Sequence, residues 1–461
     1  MLFTVHSTHA ELPHSVNMAL KNSGVSPSQI SVFVQPLAAQ PVLLDPPSVA
    51  HQADIALNPA SSMKIVTSYA ALRMLGPDFR WKTEVYADGK IINGVLYGNL
   101  YFKGYGDPSF SQADLWQLLH QLRQQGLKEI KGDVMIDQSY FASQSPDTGS
   151  FDGEPLRAYN ATPNAFIVNG KTSSFRFDGA GADVTVQVQP QLTEMNVINQ
   201  LKVSTTECTA WRNDVHYDVS QEGQTSTVIF SGSFPANCDE KYLELLALTE
   251  NDYHLFLFRK LWAEAGGIFD GKLQLNVLPD DAAKLAQHES KPLAQILPEI
   301  NKWSNNLMAK QLLLTIAAEA HSQPATEVNA VIAIKNWLAS VGLQFNELSI
   351  ENGSGLSRTE RISTAHLGAL LVHAYYSPVM SELMASLPIL GVDGTMQKRK
   401  NSVAHAQGHL KTGSINGVYS VAGYMLAKSG QHYVVVFMVN DTKAPLTRAA
   451  QDALLEWVYL H

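Results

Sequence analysis

Long apolar runs, cysteines and excess positive charge are all scarce in this 461-residue sequence, and each shortage removes a class of protein. No stretch of about 18 consecutive apolar residues occurs, so nothing reads as a transmembrane segment. Lys and Arg total 33 against 42 Asp and Glu, a formal net charge of −9. That balance, without a basic stripe, argues against a nucleic-acid partner. Only two cysteines are present, Cys208 and Cys238. In an oxidising compartment they could close a loop contributing about 3–4 kcal/mol, or they are two unrelated thiols. Internal repeats and low-complexity tracts are also missing.

What is present suits a large enzyme-sized core: 45% hydrophobic residues with 16% charged. Length alone suggests about three domains. The opening "MLFTVHSTHA" is short and polar; it reads as the tail of a signal peptide ending at Ala10, or as a frayed terminus before a helix over 13–22. "QISVFVQP" and "PVLLD" read as a strand hairpin. "NPASSMKIVTSYAALRML" reads as a helix that begins at Asn58 and stops at Gly76-Pro77. From about Trp81 the texture changes to short, glycine-punctuated strands, with one helix near 112–125 and period-two alternation in "DVTVQVQPQ" and "STVIFSGSF". Helical patterns dominate from Leu293 to about Met384, and strands followed by an amphipathic helix without a basic face end the chain. The pattern predicts a mixed α/β (α+β) protein. Its β-rich middle is either an insertion into a domain built from both chain ends or one of three domains in a row.

Three short motifs carry chemistry. Ser61 and Lys64 stand one helical turn apart, within hydrogen-bond reach. A lysine is a poor base at its free pKa near 10.4. Among apolar neighbours at a helix start, however, burial and the helix dipole both disfavour its ammonium form. A neutral Lys64 could then take the proton of Ser61, the Ser-Lys form of nucleophile activation. Ser304-Asn305-Asn306 precedes a second helix, where the plainer reading is an N-cap. Lys411-Thr412-Gly413-Ser414 lies on an apparent strand and offers a cation and a hydroxyl to a carboxylate, with a glycine for close approach. Other patterns are weak. His405 and His409 are spaced as zinc ligands but straddle a glycine, and "GKTSS" lacks the first glycine of a phosphate loop. No motif calls for a cofactor or a metal.

Ser-x-x-Lys, Ser-x-Asn and Lys-Thr-Gly in this order form the signature of penicillin-binding proteins and class A β-lactamases. With "GNLYFKGYGDPSF", "KWSNNLMAKQLL", "ENGSGLSRTERIS", "SLPILGVDGTM" and "HLKTGSINGVYSVAGY", the chain resembles the low-molecular-mass class C penicillin-binding proteins, the D-Ala-D-Ala carboxypeptidase/endopeptidase family. The resemblance implies a β-lactamase/transpeptidase-like catalytic domain, discontinuous over 1–76 and 247–461. It places an inserted β-rich region, 77–246, as two nested small domains. It implies export to the periplasm or cell-wall space, which favours a Cys208–Cys238 bond. Ser61 would be the acylated nucleophile and Lys64 its base, with Ser304 relaying a proton to the leaving amine. Asn306 would hold the substrate amide. Lys411 and Thr412 would take the terminal carboxylate, with Gly413 beside them, and the N–H groups of Ser61 and Ser414 would form the oxyanion hole. Glu154 and Tyr159 would meet the free amine of a stem peptide. Peptidoglycan stems ending in D-Ala-D-Ala are the implied substrate, and β-lactams the covalent inhibitors. A serine β-lactamase and a non-catalytic wall-binding relative are the alternatives. A Glu-x-x-Leu-Asn after Ser304, needed for the first, is missing, and the intact motifs count against the second.

Overall fold

Three strands are apolar along almost their whole length, and they form the middle of one sheet in the computed structural model, which describes residues 11–40, 45–143, 147–320 and 323–461. The sheet is antiparallel throughout, in the order Gly408–Ile415, Val418–Leu426, His432–Asn440, Ile30–Leu37, Val49–His51. Continuous rather than alternating burial means that both faces are covered. On one face Val16 and Leu20 of the helix His14–Ser23 and Leu454, Leu455 and Val458 of Arg448–Leu460 pack on Val32, Val34, Val435 and Phe437. On the other lies the helix Thr364–Tyr375, whose Leu371 carbonyl accepts from the Tyr424 hydroxyl at 2.8 Å. Ile30–Leu37 does form a hairpin-like pair, but with Val49–His51. The expected "PVLLD" strand falls mostly on 41–44, and the signal-peptide reading on 1–10, outside the described residues.

The helix Lys64–Met74 is buried on every side from Lys64 to Leu72. Ile65, Val66, Ala70, Ala71 and Leu72 carry this helix into the core, and each fully buried Val, Leu or Ile there stabilises by about 1.5–3 kcal/mol. Its entry differs from the expectation. A 3₁₀ turn, Ala60–Met63, precedes the α-helix, and Asn58 Oδ1 accepts from Ala60 N at 2.8 Å. Because 3₁₀ geometry eclipses residues three apart, Lys64 is still brought over Ser61.

The chain divides into two compact units, residues 1–80 with 291–461, and Trp81–Ser290. The second therefore extends well past the expected limit at 246. The reason is packing: the helix Glu250–Glu264 buries Tyr253, Phe256, Leu257 and Trp262 in the core of this unit. Strands Ile268–Phe269, Leu273–Leu275 and Ala283–Glu289 then complete its sheets. Two of its four sheets are made from 82–137 with 268–289, and the other two lie within 173–245. Cys208 and Cys238 are bonded across the latter part, with Cα atoms 5.1 Å apart.

Candidate active site

Lys64 is wholly buried, while Ser61 keeps partial exposure. Lys64 Nζ lies 3.2 Å from Ser61 Oγ, 2.6 Å from Asn306 Oδ1 and 2.5 Å from the Ser354 carbonyl. An ammonium donates to all three. A neutral amine can donate to only two, so its lone pair must then receive the Ser61 hydroxyl, which is the arrangement for proton transfer. Burial above all, and then the charge of Lys411, hold the Lys64 pKa well below the ordinary lysine value; Glu360 acts in the opposite sense.

Ser304 and Asn306 are free for chemistry because Asn305 does the capping. Its Oδ1 accepts from Met308 N at 3.0 Å and starts the helix Asn306–Glu319. Ser304 adopts a left-handed backbone, φ 58°. A non-glycine residue there costs about 1–3 kcal/mol, and such strain clusters at functional sites. Its Oγ accepts from Lys411 Nζ at 3.0 Å. Lys411 is fully buried and also donates to the Thr412 carbonyl at 2.8 Å. Burial alone brings its pKa down to about 7.

Lys411, Thr412, Gly413 and Ser414 ride on the edge strand of the five-stranded sheet. A Cβ on Gly413 would lie 2.3 Å from Ser420 Oγ, 2.5 Å from the Pro59 carbonyl and 2.9 Å from Ser61 N. The glycine thus lets this strand lie directly against the turn that carries the nucleophile. Ser420, opposite Gly413 in the ladder, fastens the turn by donating to the Pro59 carbonyl at 2.6 Å and sharing a hydrogen bond with Ser62 Oγ at 2.9 Å. Leu410 N donates away from the sheet, to Pro388. By the two-residue alternation the N–H of Ser414 points the same way, where it can serve as an oxyanion donor.

Sequence reasoning missed several groups that the fold adds. Thr395 Oγ1 sits 2.7 Å from Thr412 Oγ1, and the Ser354 carbonyl and Glu360 stand behind Lys64. The "ENGSGLSRTERIS" block carried the only available signal for the last two. Glu154 and Tyr159 lie in the inserted unit and do not pair with each other. Glu154 faces Arg157 at 3.7 Å, whereas the Tyr159 hydroxyl donates to Asp152 at 2.9 Å. Arg358 donates to the Asn416 carbonyl, and Asp393 pairs with Lys302 at 2.5 Å, both as turn fasteners. His405 lies in a turn and His409 on a strand. Lys171 of "GKTSS" is paired with Glu250 at 2.8 Å.

This geometry has counterparts among known proteins. D-alanyl-D-alanine carboxypeptidase DacB of Haemophilus influenzae is 29% identical over 394 residues, 83% of this chain and 80% of that protein. A crystal structure of penicillin binding protein 4 (dacB) from the same organism has 25% sequence identity and a TM-score of 0.79, covering 98% of this chain and 100% of that one. A second, complexed with a novel β-lactam, gives a TM-score of 0.74 at 25% identity, over 97% and 99% of the two chains. The fold is accordingly that of penicillin binding protein 4, a mixed architecture of helices and strands. The description of a D-Ala-D-Ala carboxypeptidase 3 (S13) family fits residues 12–459, nearly the whole sequence, and the chain belongs to that family.

Proposed function

We propose that this chain is a penicillin-sensitive serine D-Ala-D-Ala carboxypeptidase acting on peptidoglycan stem peptides through an acyl-enzyme on Ser61. The observation that carries the reading is a fully buried lysine whose Nζ touches the one partly exposed serine at its helix entrance. Ser61 Oγ attacks the carbonyl of the penultimate D-Ala as its proton passes to Lys64. The N–H groups of Ser61 and Ser414 receive the developing oxyanion, a donor being worth roughly 3–4 kcal/mol. Lys411 and Thr412 take the terminal carboxylate, and Asn306 orients the substrate amide. Ser304, hydrogen-bonded to Lys411, relays the proton taken up by Lys64 to the departing D-Ala amine. Water then releases the acyl group. The same step applies to a crosslink in which an amine of a second stem replaces the terminal D-Ala, so the proposal includes DD-endopeptidase work. A β-lactam acylates Ser61 without releasing its leaving group, which remains tethered.

The proposal places the catalytic domain in residues 1–80 with 291–461 and treats the sheets of 173–245 as a smaller domain nested in the insertion. It keeps Glu154 and Tyr159, now beside Asp152, as contacts for a free stem amine. It also places the protein outside the cytoplasm, in the cell-wall space. The Cys208–Cys238 bond supports this, since such bonds persist in oxidising compartments. Among the described residues no helix is long and apolar enough to cross a membrane.

The test is intact mass after brief exposure to benzylpenicillin, for the native chain and Ser61→Ala, followed by D-Ala release from pentapeptides with free or amidated stem amines. One stable drug adduct on the native chain alone, and faster release from the free amine, are expected. An intact drug without adduct would leave a binding relative, and hydrolysed drug without adduct would mean a β-lactamase. Equal rates on both pentapeptides would remove the stem-amine contacts.

A further inference from the structure

A carboxylate belonging to none of the three motifs stands behind the Ser61–Lys64 pair. Glu360 is completely buried. Its Oε1 accepts from three successive backbone N–H groups, those of Glu351 at 3.1 Å, Asn352 at 3.1 Å and Gly353 at 2.9 Å. Its Oε2 is buried with no hydrogen-bond partner among the described residues. The turn gathered in this way is clamped onto the nucleophile's helix at two successive carbonyls. Gly353 O accepts from Thr67 Oγ1 at 2.7 Å, and Ser354 O accepts from Lys64 Nζ at 2.5 Å.

Tying three amides does not require a charge: a neutral amide oxygen would accept from them as well. Burying a carboxylate costs several kcal/mol unless an opposite charge answers it. The charged groups acting on Lys64 come from every side. Lys411 on the edge strand and Lys310 on the helix Asn306–Glu319 both disfavour its ammonium form, and Glu360 favours it. Glu351, on the same loop, is engaged with the hydroxyls of Ser357 and Thr359. Burial raises the Glu360 pKa above the ordinary carboxylate value, and the three amides and Lys64 offset that rise only in part.

We propose that Glu360 is a positioning residue for acylation: it fixes the Ser354 carbonyl against Lys64 and supplies the negative charge against which Lys64 becomes an ammonium. In that step the Oγ–carbonyl bond forms, the carbonyl π pair moves onto oxygen, and the Ser61 proton goes to Nζ. Without a nearby anion this would create an isolated buried cation. With Glu360 ionised, the ammonium forms opposite a buried anion instead. The inference rests on the acyl-enzyme reading above.

The test is the second-order rate of acylation by benzylpenicillin, measured on the full chain across the pH range where the protein stays folded. Native chain that forms no adduct would overturn the acyl-enzyme reading itself, a different result from the one that decides Glu360. Glu360→Gln keeps an acceptor for the three amides and removes the charge. Losing the anion makes Lys64 give up its proton more easily, so the acid limb of the profile is expected to move to lower pH by roughly one unit, with a plateau about 10-fold slower. A merely structural role would leave the limb in place, and an unmoved limb overturns the proposal whatever the plateau does. Should Glu360→Gln fail to fold, Glu360→Asp decides. It keeps the charge but draws it back by one methylene, so an unmoved limb with a lowered plateau is expected, and a native plateau overturns the inference.

Discussion

Lys64 and Lys411 share one site but are needed in opposite states. Lys64 must be neutral to accept the Ser61 proton, and Lys411 must be charged to hold a carboxylate. Burial brings Lys411 to about 7, so its cation is present below that pH and lost above it. Lys64 is lowered further by the charge of Lys411 itself, so the two titrate as a coupled pair. The expected kcat/KM for a pentapeptide ending in D-Ala-D-Ala is therefore bell-shaped. Its alkaline limb falls near pH 7 with the loss of the Lys411 charge, and its acid limb follows protonation of Lys64, whose pKa burial holds well below the ordinary lysine value. A profile still rising well above pH 8 would contradict this assignment. At this scale the sequence was readable where contacts are local, since Ser61 and Lys64 are three residues apart. Ser354 and Glu360 were not legible, because they reach Lys64 only across some 290 residues of chain. Asp152 was missed although it stands only seven residues before Tyr159, because the resemblance pointed to Glu154 instead.

The meeting of an edge strand and a 3₁₀ turn depends on one missing side chain. Gly413→Ala would push a methyl group against the Pro59 carbonyl, Ser61 N and Ser420 Oγ, two of which are backbone and cannot swing away. Acylation by benzylpenicillin is expected to slow by about 100-fold, the size of effect that an ångström of misplacement produces. A loss of roughly 1–3 kcal/mol in stability should accompany it, read by thermal melting. A native rate in this variant would show that the contact is not tight. Element types were legible from periodicity, and the apolar Ile65, Val66, Ala70, Ala71 and Leu72 marked the helix behind Lys64 as a buried one. The 3₁₀ entry was not, because turn type at a helix start depends on what packs against it. That packing is provided here by Ser420 from a distant strand and Asn58 within the turn.

At the level of the whole chain, the inserted unit leaves and returns at adjacent points. Leu293 N donates to the Phe79 carbonyl at 2.8 Å and Ala294 N to the Pro77 carbonyl at 3.0 Å, so the segments on either side of the insertion already pair within the catalytic unit. A shortened chain joining Arg80 to Lys291 through a short Gly-Ser linker is expected to fold and to take up benzylpenicillin at Ser61, checked by circular dichroism and intact mass. A folded but unreactive product would show that the insertion helps to build the site. The discontinuity was legible as a change of texture near Trp81. Its far limit was misplaced because a helix pattern such as Glu250–Glu264 declares amphipathicity without saying which core will receive it. The order of the central sheet also has a temporal side. Ile30–Leu37 lies between Val49–His51 and His432–Asn440, a strand that follows it in the chain only after the whole inserted unit, and the strand bearing Lys411 is joined through such late neighbours. The nucleophile can therefore meet its oxyanion donor and carboxylate clamp only after the whole inserted unit and the late strands have been made. A copy of the chain that stops short of those strands has no complete site.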